Sequence, residues 1–267
     1  IVDVFNEGNE IVHLDLPDFN MVDFEGARNS LEALKPDLII NCAAYNAVDK
    51  CEEDPEEYKK AEMLNGYAVG NLAEITHDLD IPLVHYSTEY VFDGVNEKGY
   101  STRDQAFPIN KYGATKLLGE HEIEGKTEKF YIIRTSRLFG RPSKGVNGKK
   151  TFVDIMIDLA KTKDSLQLVN EEHSAPTYAL DLAKQTKYIV DNELPHGIYH
   201  VTNNGICTWY EFAEEIFKQK NIKIKTEPVT SDAFPRPAVR PAYGKLLNTT
   251  RVPALRSWQD ALKDYLN

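Results

Sequence analysis

Short apolar runs alternate with amphipathic stretches along the first two-thirds of the chain, and this alternation constrains the fold more than any other feature. Runs typical of strands lie at 10–15, 38–42, 82–86 and 131–134, and helical spacing of apolar residues marks 24–34, 57–79 and 112–122. Strands that alternate with helices in this way build parallel βαβ units. The sequence therefore predicts an α/β fold with a doubly wound parallel sheet, covered by helices on both faces.

The pattern changes after about residue 140. The stretch 141–150 is rich in Gly, Lys and Pro, which is typical of a loop or an insertion. Beyond it, helices are predicted at 152–160, 177–191, 208–219 and 257–266, and strands at 165–170 and 197–201, the second of which returns to the sheet. Thr208 precedes Glu211 by three residues, the spacing of a capping box at a helix start. We predict that 1–140, completed by about 177–204, forms the sheet region and that 141–176 and 205–267 form a smaller C-terminal lobe.

Charge and cysteine content exclude several classes of partner. The 267 residues include 31 Lys and Arg against 42 Asp and Glu, a net charge of −11, whereas a nucleic-acid-binding surface must neutralise phosphates with Lys and Arg. No apolar run approaches the roughly 20 residues that span a bilayer, so neither a nucleic-acid nor a membrane partner is predicted. The three cysteines, Cys42, Cys51 and Cys207, show no C-x-x-C spacing, which predicts reduced thiols in a cytoplasmic protein and no metal site.

Tyr112 and Lys116 form the most informative pair in the sequence. They are four residues apart at the start of a predicted helix and therefore share one face. A nearby ammonium lowers the pKa of a phenol because it favours the phenolate, and such a tyrosine can exchange a proton with a carbonyl or an alcohol. The alternative is an ordinary helix in which the tyrosine packs on the sheet and the lysine is solvated.

Two predicted strand ends carry residues suited to ligand binding. Ser87 and Thr88 directly follow the run 82–86, and the segment 41–45 ends another strand with small residues that let a flat ligand approach. Ligands bind at the carboxyl ends of parallel strands, so a hydroxyl of this pair is placed to contact the oxygen that Tyr112 protonates. The alternatives are that Thr88 caps the turn into 89–94 and that 41–45 is merely tightly packed.

Several longer segments together resemble the dTDP-4-dehydrorhamnose reductases of the extended short-chain dehydrogenase/reductase family. They are NCAAYNAVDKCE at 41–52, HYSTEYVFDG at 85–94, PINKYGATKLLGE at 108–120, IIRTS at 132–136, APTYALDLA at 175–183 and GIYHVTN at 197–203. The resemblance implies a Rossmann-like fold with a substrate-binding C-terminal lobe. It also implies that NADPH or NADH reduces the 4-keto group of a nucleotide-linked deoxysugar, as in the conversion of dTDP-4-dehydro-L-rhamnose to dTDP-L-rhamnose. It further allows for a homodimer and for Mg²⁺.

The resemblance also implies roles for individual residues. Tyr112 would donate the proton, and Thr88 would bind the reacting carbonyl. Lys116 would lower the pKa of Tyr112 and hold the nicotinamide ribose. Further cofactor contacts are implied at Asp15, Asp23, Phe24, Ala43, Ala44, Tyr45 and Tyr86. Further substrate contacts are implied at Glu89, Arg137 and Arg240. An acid such as Asp15 repels the 2′-phosphate and favours NAD, although the resemblance leaves the choice between NAD and NADP open.

The sequence departs from the family pattern where the substrate is expected. Glu89 replaces the usual aspartate, Arg137 replaces an aromatic residue, and Glu-Glu-His-Ser at 171–174 replaces Asp-Gln-x-Gly. Arg137 is suited to bind an anionic group of a different sugar nucleotide, or to form a surface salt bridge. Two other functions therefore stay open, a nucleotide-sugar epimerase or dehydratase and a non-catalytic regulatory subunit that retains the fold.

The position of Asp15 bears on the pyrophosphate-binding turn. In the dinucleotide-binding fingerprint a Gly-rich turn lies about 20 residues before the acid that binds the ribose. If Asp15 is that acid, the turn belongs before residue 1, and the first five residues are the end of a helix. We therefore expect a first strand, a Gly-rich loop and most of a helix to precede this sequence.

Overall fold

A parallel sheet forms the centre of the computed structural model, which describes residues 1–141 and 150–267. The strands are β1 (Ile39–Asn41), β2 (Leu83–Thr88), β3 (Phe130–Thr135), β4 (Leu138–Phe139), β5 (Ser165–Val169), β6 (Thr177–Tyr178), β7 (Gly197–His200) and β8 (Lys225–Val229). The central sheet has the order β1-β2-β3-β7 and every pairing in it is parallel. The predicted α/β fold class and the return of the last strand to the sheet are confirmed.

Helices cover both faces of this sheet. They are α1 (Val2–Phe5), α2 (Phe24–Leu34), α3 (Val48–Glu53), α4 (Pro55–Glu62), α5 (Ala68–Asp78), α6 (Lys111–Glu124), α7 (Phe152–Ala160), α8 (Ala179–Asp191), α9 (Trp209–Gln219) and α10 (Trp258–Leu266). Successive strand residues point to opposite faces, so Leu83 packs with Leu72 and Ile123 on one side, whereas Val84 packs with Leu182 on the other. This burial on both faces explains the nearly continuous apolar strands.

A second core lies among α7, α9 and α10, with the short pairs β4–β6 and β5–β8 beside it. Phe139, Phe212 and Trp258 are at its centre. The capping box predicted for α9 is confirmed, because Thr208 Oγ1 accepts a hydrogen bond from the backbone of Glu211 (3.1 Å) and Glu211 Oε2 accepts one from the backbone of Thr208 (2.8 Å). The cap holds the start of α9, which carries Trp209, in a fixed position.

Several predicted elements are wrong in their details. Residues 10–15 form no strand, because no strand of the described residues pairs with them, and Val12 and Leu14 are exposed. The predicted helix 57–79 is interrupted by a π-helical turn at Met63–Tyr67. Residues 177 and 178, predicted to begin a helix, pair with β4 instead.

Two findings complete the description of the fold. The predicted loop at 141–150 lies mostly outside the described residues. None of the helices in the described ranges is both long enough and apolar enough to cross a membrane.

Candidate active site

The carboxyl end of β2 meets the start of α6, and this contact brings Thr88 and Tyr112 together. Asn110 caps α6 by accepting a hydrogen bond from the backbone of Gly113 (2.8 Å). A side chain at Gly113 would come within 2.1 Å of the Tyr90 carbonyl oxygen, so only glycine lets α6 lie this close to the turn after β2. As a result, the Tyr112 hydroxyl lies close enough to the side chain of Thr88 for the Thr88 hydroxyl to lower the pKa of Tyr112, and the two residues are placed to share a ligand, as the sequence predicts.

Lys116 is almost fully buried, with 2% of its surface exposed. Its ammonium donates a hydrogen bond to the Tyr86 carbonyl (2.8 Å), and Nζ lies 3.1 Å from His85 Nε2. The other ring nitrogen of His85 lies 3.0 Å from Asn41 Nδ2. Burial lowers the pKa of Lys116 to about 8, which the charge of Glu120 opposes, and burial lowers the pKa of His85 well below its ordinary value. The solvated-lysine alternative is therefore excluded.

The pKa of Tyr112 moves in the direction opposite to the predicted one. Burial is the largest cause and raises the pKa of this phenol above its ordinary value, and the charge of Glu89 raises it further. The hydrogen bond with Thr88 acts in the lowering direction but is weaker. Tyr112 therefore carries its proton in this structure, which is the form that a proton donor needs.

Glu89 and Arg137 lie on the side of Thr88 that faces the second core. Glu89 is 6% exposed, and its carboxylate accepts hydrogen bonds from Thr88 Oγ1 (2.9 Å) and Ser174 Oγ (3.4 Å). Arg137 donates to the backbone carbonyls of Cys207 (2.7 Å) and Glu172 (2.6 Å). Of the two alternatives for Arg137, the surface salt bridge does not form with any of the described residues, because both of these partners are neutral carbonyl groups.

Three residues beyond the predicted set form a cluster beside Arg137, two in contact with it and the third, Arg236, in contact with Glu172. The guanidinium carbon of Arg137 is 4.1 Å from the Trp209 ring centre, and Trp209 Nε1 donates to Glu172 Oε2 (2.9 Å). Glu172 is 5% exposed and also forms an ion pair with Arg236. A cavity of about 230 Å³ adjoins this cluster, and it is lined by Phe152, Gln167, Leu168, Val169, Trp209, Phe234 and Arg236. Aromatic rings beside an arginine suit a flat ligand that carries a negative charge.

The segment after β1 supplies a second open surface. Ala43 and Ala44 are exposed, and Tyr45 donates its hydroxyl proton to the carboxylate of Glu57. Asn65, in the π-helical turn, accepts from the backbone N–H of Tyr45 (2.8 Å) and donates to its carbonyl (2.9 Å). Sequence reasoning missed Asn65, although a polar residue on the apolar face of a predicted helix is a signal that could have found it.

Other predicted residues have mainly local partners. Asp15 is exposed and accepts from the backbone of Leu16 (2.8 Å), and Asp23 caps α2 by accepting from Gly26 (3.1 Å). The Phe24 ring contacts the Arg28 guanidinium at 5.0 Å. The structure does not bring these three side chains into contact with Tyr112 or Lys116.

Tyr86 and Arg240 are held by tertiary partners. The Tyr86 hydroxyl hydrogen-bonds with Thr186 Oγ1 (2.8 Å), so its ring lies on the face of the sheet opposite to Lys116. Arg240 donates to Asp49 (2.8 Å) and to the Ala238 carbonyl (2.8 Å). Within the described residues no group of three or more His, Cys, Asp or Glu side chains could hold a metal ion, and Mg²⁺ stays a prediction.

Comparisons with known proteins show the family of the chain. The family model described as the RmlD substrate binding domain matches residues 1–267. The spore coat polysaccharide biosynthesis protein SpsK of Bacillus subtilis (strain 168) is 36% identical over 262 residues, which are 97% of this chain and 89% of that protein. The dTDP-4-dehydrorhamnose reductase of Escherichia coli (strain K12) is 34% identical over 258 residues, 91% of this chain and 83% of that enzyme.

Solved structures show the same likeness. The crystal structure of dTDP-4-dehydrorhamnose reductase from Bacillus anthracis in complex with NADP has a TM-score of 0.91 and 31% identity, and the match covers 98% of this chain and 91% of that one. The structure of the orthologue from Clostridium acetobutylicum has a TM-score of 0.91 and 36% identity, with 99% and 92% covered. The resemblance predicted from the sequence is thereby confirmed, and the chain belongs to the RmlD family, which includes the dTDP-4-dehydrorhamnose reductases.

Proposed function

We propose that this protein reduces the 4-keto group of a dTDP-linked deoxysugar with NADPH or NADH, as in the conversion of dTDP-4-dehydro-L-rhamnose to dTDP-L-rhamnose. The observation that carries the proposal is the set of Thr88, Tyr112 and Lys116 at the carboxyl end of β2, in which Thr88 and Lys116 are buried and Tyr112 is half-buried. The family of the chain and the NADP complex of a relative at 31% identity support the same reaction.

The chain's own groups fit a nicotinamide cofactor. An ammonium has three N–H donors, and Lys116 donates one of them to the Tyr86 carbonyl while Nζ lies 3.1 Å from His85 Nε2, so at least one N–H is available for a ribose hydroxyl. Ala43 and Ala44 expose a surface of small side chains beyond β1, and Asn65 fixes this segment through Tyr45. When bound, the cofactor would supply the hydride that attacks the carbonyl carbon.

Tyr112 and Thr88 act on the carbonyl oxygen. Tyr112 gives its hydroxyl proton to this oxygen as negative charge develops there, and Thr88 provides a second hydroxyl at the same point. The charge of Lys116 stabilises the tyrosinate that remains, because an ammonium favours the ionised phenol. Both hydroxyls lie in a largely dry environment, in which each hydrogen bond to developing charge is stronger than in water.

The sugar nucleotide is proposed to bind between the sheet and the C-terminal lobe. In this division, residues 1–140 and 177–204 bind the cofactor, whereas 141–176 and 205–267 bind the substrate. The aromatic cavity beside Trp209 and Arg236 takes part of the nucleotide, and Glu89, Arg137 and Arg240 line or support the sugar side. A homodimer and a cytoplasmic location stay predictions.

The proposal is tested by counting cofactor turnover. The purified protein is given dTDP-4-dehydro-6-deoxy-L-mannose and NADPH or NADH, and the loss of cofactor absorbance is compared with the dTDP-sugar product formed. A reductase consumes one reduced cofactor for each product molecule. An epimerase or dehydratase of this fold recycles its hydride and shows no net consumption, and a regulatory subunit shows no product, so either result would overturn the proposal.

A further inference from the structure

Glu89 is a buried carboxyl group that touches the hydroxyl expected to bind substrate. Thr88 Oγ1 lies 2.9 Å from Oε2, and Ser174 Oγ lies 3.4 Å from Oε1. A side chain at Gly244 would come within 2.9 Å of Glu89 Cγ, so the backbone there packs closely against the carboxyl-bearing side chain. The carboxyl group is therefore held in one place, and its hydrogen-bonding partners in the described structure are uncharged: the hydroxyls of Thr88 and Ser174 and the backbone N–H of Glu89.

The charges around Glu89 act from several elements. The titratable and charged groups that face it are Tyr90 of its own turn, Tyr112 of α6 and Arg137 of the turn between β3 and β4. Ser174 and Gly244, from the other two packed segments, carry no charge. Arg137 already donates to two backbone carbonyls, so it acts on Glu89 through its charge and not through a hydrogen bond. Glu89 thus has no direct ionic partner among the described residues.

A proton count shows what an ionised Glu89 does to the site. Thr88 has one hydroxyl proton and donates it in a hydrogen bond to an ionised Glu89, because a carboxylate can only accept hydrogen bonds. One lone pair of Thr88 Oγ1 accepts from the Tyr90 backbone N–H (3.2 Å). With the Thr88 proton committed to Glu89, a hydrogen bond between Thr88 and the adjacent Tyr112 requires the Tyr112 hydroxyl to be the donor. In this arrangement both hydroxyl protons are used inside the protein and neither is available to a substrate.

A neutral Glu89 reverses the direction of the hydrogen bond between Glu89 and Thr88. Its own O–H donates to Thr88 Oγ1, which still accepts from the backbone of Tyr90. Both lone pairs of the Thr88 oxygen are then occupied, so Thr88 must donate its proton elsewhere and Tyr112 no longer finds an acceptor in Thr88. The two hydroxyl protons become available to one oxygen placed between them, which is what a carbonyl about to be reduced requires.

We propose that Glu89 is a positioning residue whose neutral form donates a hydrogen bond to Thr88 Oγ1 and thereby directs the hydroxyl protons of Thr88 and Tyr112 to the substrate oxygen. The inference rests on the proposed function, because it needs a carbonyl substrate at this point. Burial raises the pKa of Glu89 to about 7, so the neutral form is abundant below neutral pH and declines above it.

The test compares Glu89→Gln with the wild type across pH. Glutamine presents an N–H to Thr88 at every pH, whereas the wild type does so only while Glu89 is neutral. The ratio of kcat/KM of the variant to that of the wild type is therefore expected to rise as the pH passes 7, approaching about tenfold per pH unit. Loss of the Lys116 proton at higher pH affects both proteins and cancels in the ratio. Glu53→Gln, on the exposed surface of α3, is the matched control and should show a constant ratio.

Two further measurements keep the proposal open to contradiction if Glu89→Gln folds poorly. Ser174→Ala removes a hydrogen bond that lowers the pKa of Glu89. The fall of kcat/KM with rising pH should therefore occur at a higher pH in Ser174→Ala than in the wild type. The infrared spectrum of the ligand-free protein should show a protonated-carboxyl band that disappears as the pH rises through about 7 and is absent from Glu89→Gln.

The outcomes separate this inference from the proposed function. A ratio of kcat/KM of folded Glu89→Gln to that of the wild type that stays constant with pH, including complete inactivity of the folded variant at every pH, would overturn the inference. A Glu89 carboxyl that is ionised at every pH would overturn it as well. If the wild type reduces no keto sugar nucleotide, the proposed function fails, whereas the infrared titration still reports the protonation of Glu89.

Discussion

Two cations lie near Thr88 and Tyr112, the buried Lys116 and the half-buried Arg137, and their surroundings differ. Lys116, on the sheet side, contacts one backbone carbonyl and a neutral histidine ring. Arg137, on the lobe side, joins two carbonyls from separate segments, at Cys207 and Glu172, and stacks on Trp209.

The different surroundings of Lys116 and Arg137 indicate different roles. Burial lowers the pKa of Lys116 to about 8, so its charge can change near neutral pH, whereas the guanidinium of Arg137 stays charged. A lysine with few partners is suited to chemistry. An arginine with its donors committed to the backbone is suited to holding segments together. Substitution of each should therefore affect a different property of the protein.

Lys116→Met should cause the largest effect and should act on the rate. Removal of the ammonium takes away the charge that stabilises the tyrosinate, so kcat for the keto sugar nucleotide should fall about 10²–10⁴-fold. Lys59→Met, at an exposed lysine of α4, is the control and should leave kcat unchanged. A Lys116→Met variant with wild-type kcat would contradict a catalytic role for Lys116.

The same variant tests the protonation of Lys116 through stability. Its pKa is lowered from 10.5 to about 8 in the folded protein, so between these values the unfolded chain binds more protons than the folded chain. The free energy of unfolding of the wild type should therefore rise relative to that of Lys116→Met as the pH increases from about 8 to about 10. Urea unfolding of both proteins across this range measures the difference, and a difference that is independent of pH would contradict the burial of a titrating lysine.

Arg137→Met should act mainly on stability. It leaves the Glu172 carbonyl without its donor, and an unsatisfied buried acceptor costs about 1–3 kcal/mol. It also removes one of the two hydrogen bonds of the Cys207 carbonyl, which keeps the backbone N–H of Ser174 (3.1 Å) as a donor. The free energy of unfolding, from urea titration, should fall by roughly 3 kcal/mol. Arg137→Lys should restore less than half of this loss, because an ammonium lacks the planar fork that reaches two acceptors and stacks on Trp209. Unchanged stability in Arg137→Met would show that Arg137 does not join these segments.

Thr208→Ala should cause the smallest effect, confined to the lobe side. The substitution removes the side-chain cap of α9 and the hydrogen bond to Asn170 (2.7 Å), so the free energy of unfolding should fall by about 1 kcal/mol. The control is Thr162→Ala, at an exposed threonine that follows α7, which should change stability much less. Equal effects of the two substitutions would mean that the capping box does not stabilise the start of α9.

The sequence predicted the parts of the fold that depend on local patterns. The runs at 82–86 and 131–134 mark strands because both faces are buried, and Thr208 with Glu211 predicts a cap because the motif spans one helical turn. The predicted strand at 10–15 failed because a strand depends on a neighbour, which a local pattern does not reveal. The start of α3 at Val48 was missed because its residues are mostly polar and lack a helical apolar stripe.

The candidate site divides in the same way. Tyr112 and Lys116 could be predicted because helix geometry fixes residues four apart. Glu172, Trp209 and Arg236 could not, because tertiary folding brings them together from segments that lie 27 to 64 residues apart. The direction of the pKa shift of Tyr112 was also missed. It depends on burial and on the charge of Glu89, and the four-residue spacing of Tyr112 and Lys116 reveals neither.

The central claim is that Tyr112 supplies the proton to the substrate oxygen. It is tested most directly by the rate at which Tyr112→Phe oxidises NADPH, or NADH if that is the cofactor consumed, with dTDP-4-dehydro-6-deoxy-L-mannose as substrate. The affinity for the same cofactor is measured alongside by titration. Phenylalanine keeps the ring against Tyr90 but has no proton to give, so kcat should fall about 10²–10⁴-fold while the cofactor still binds through Lys116. Turnover by Tyr112→Phe at the wild-type rate would contradict the account.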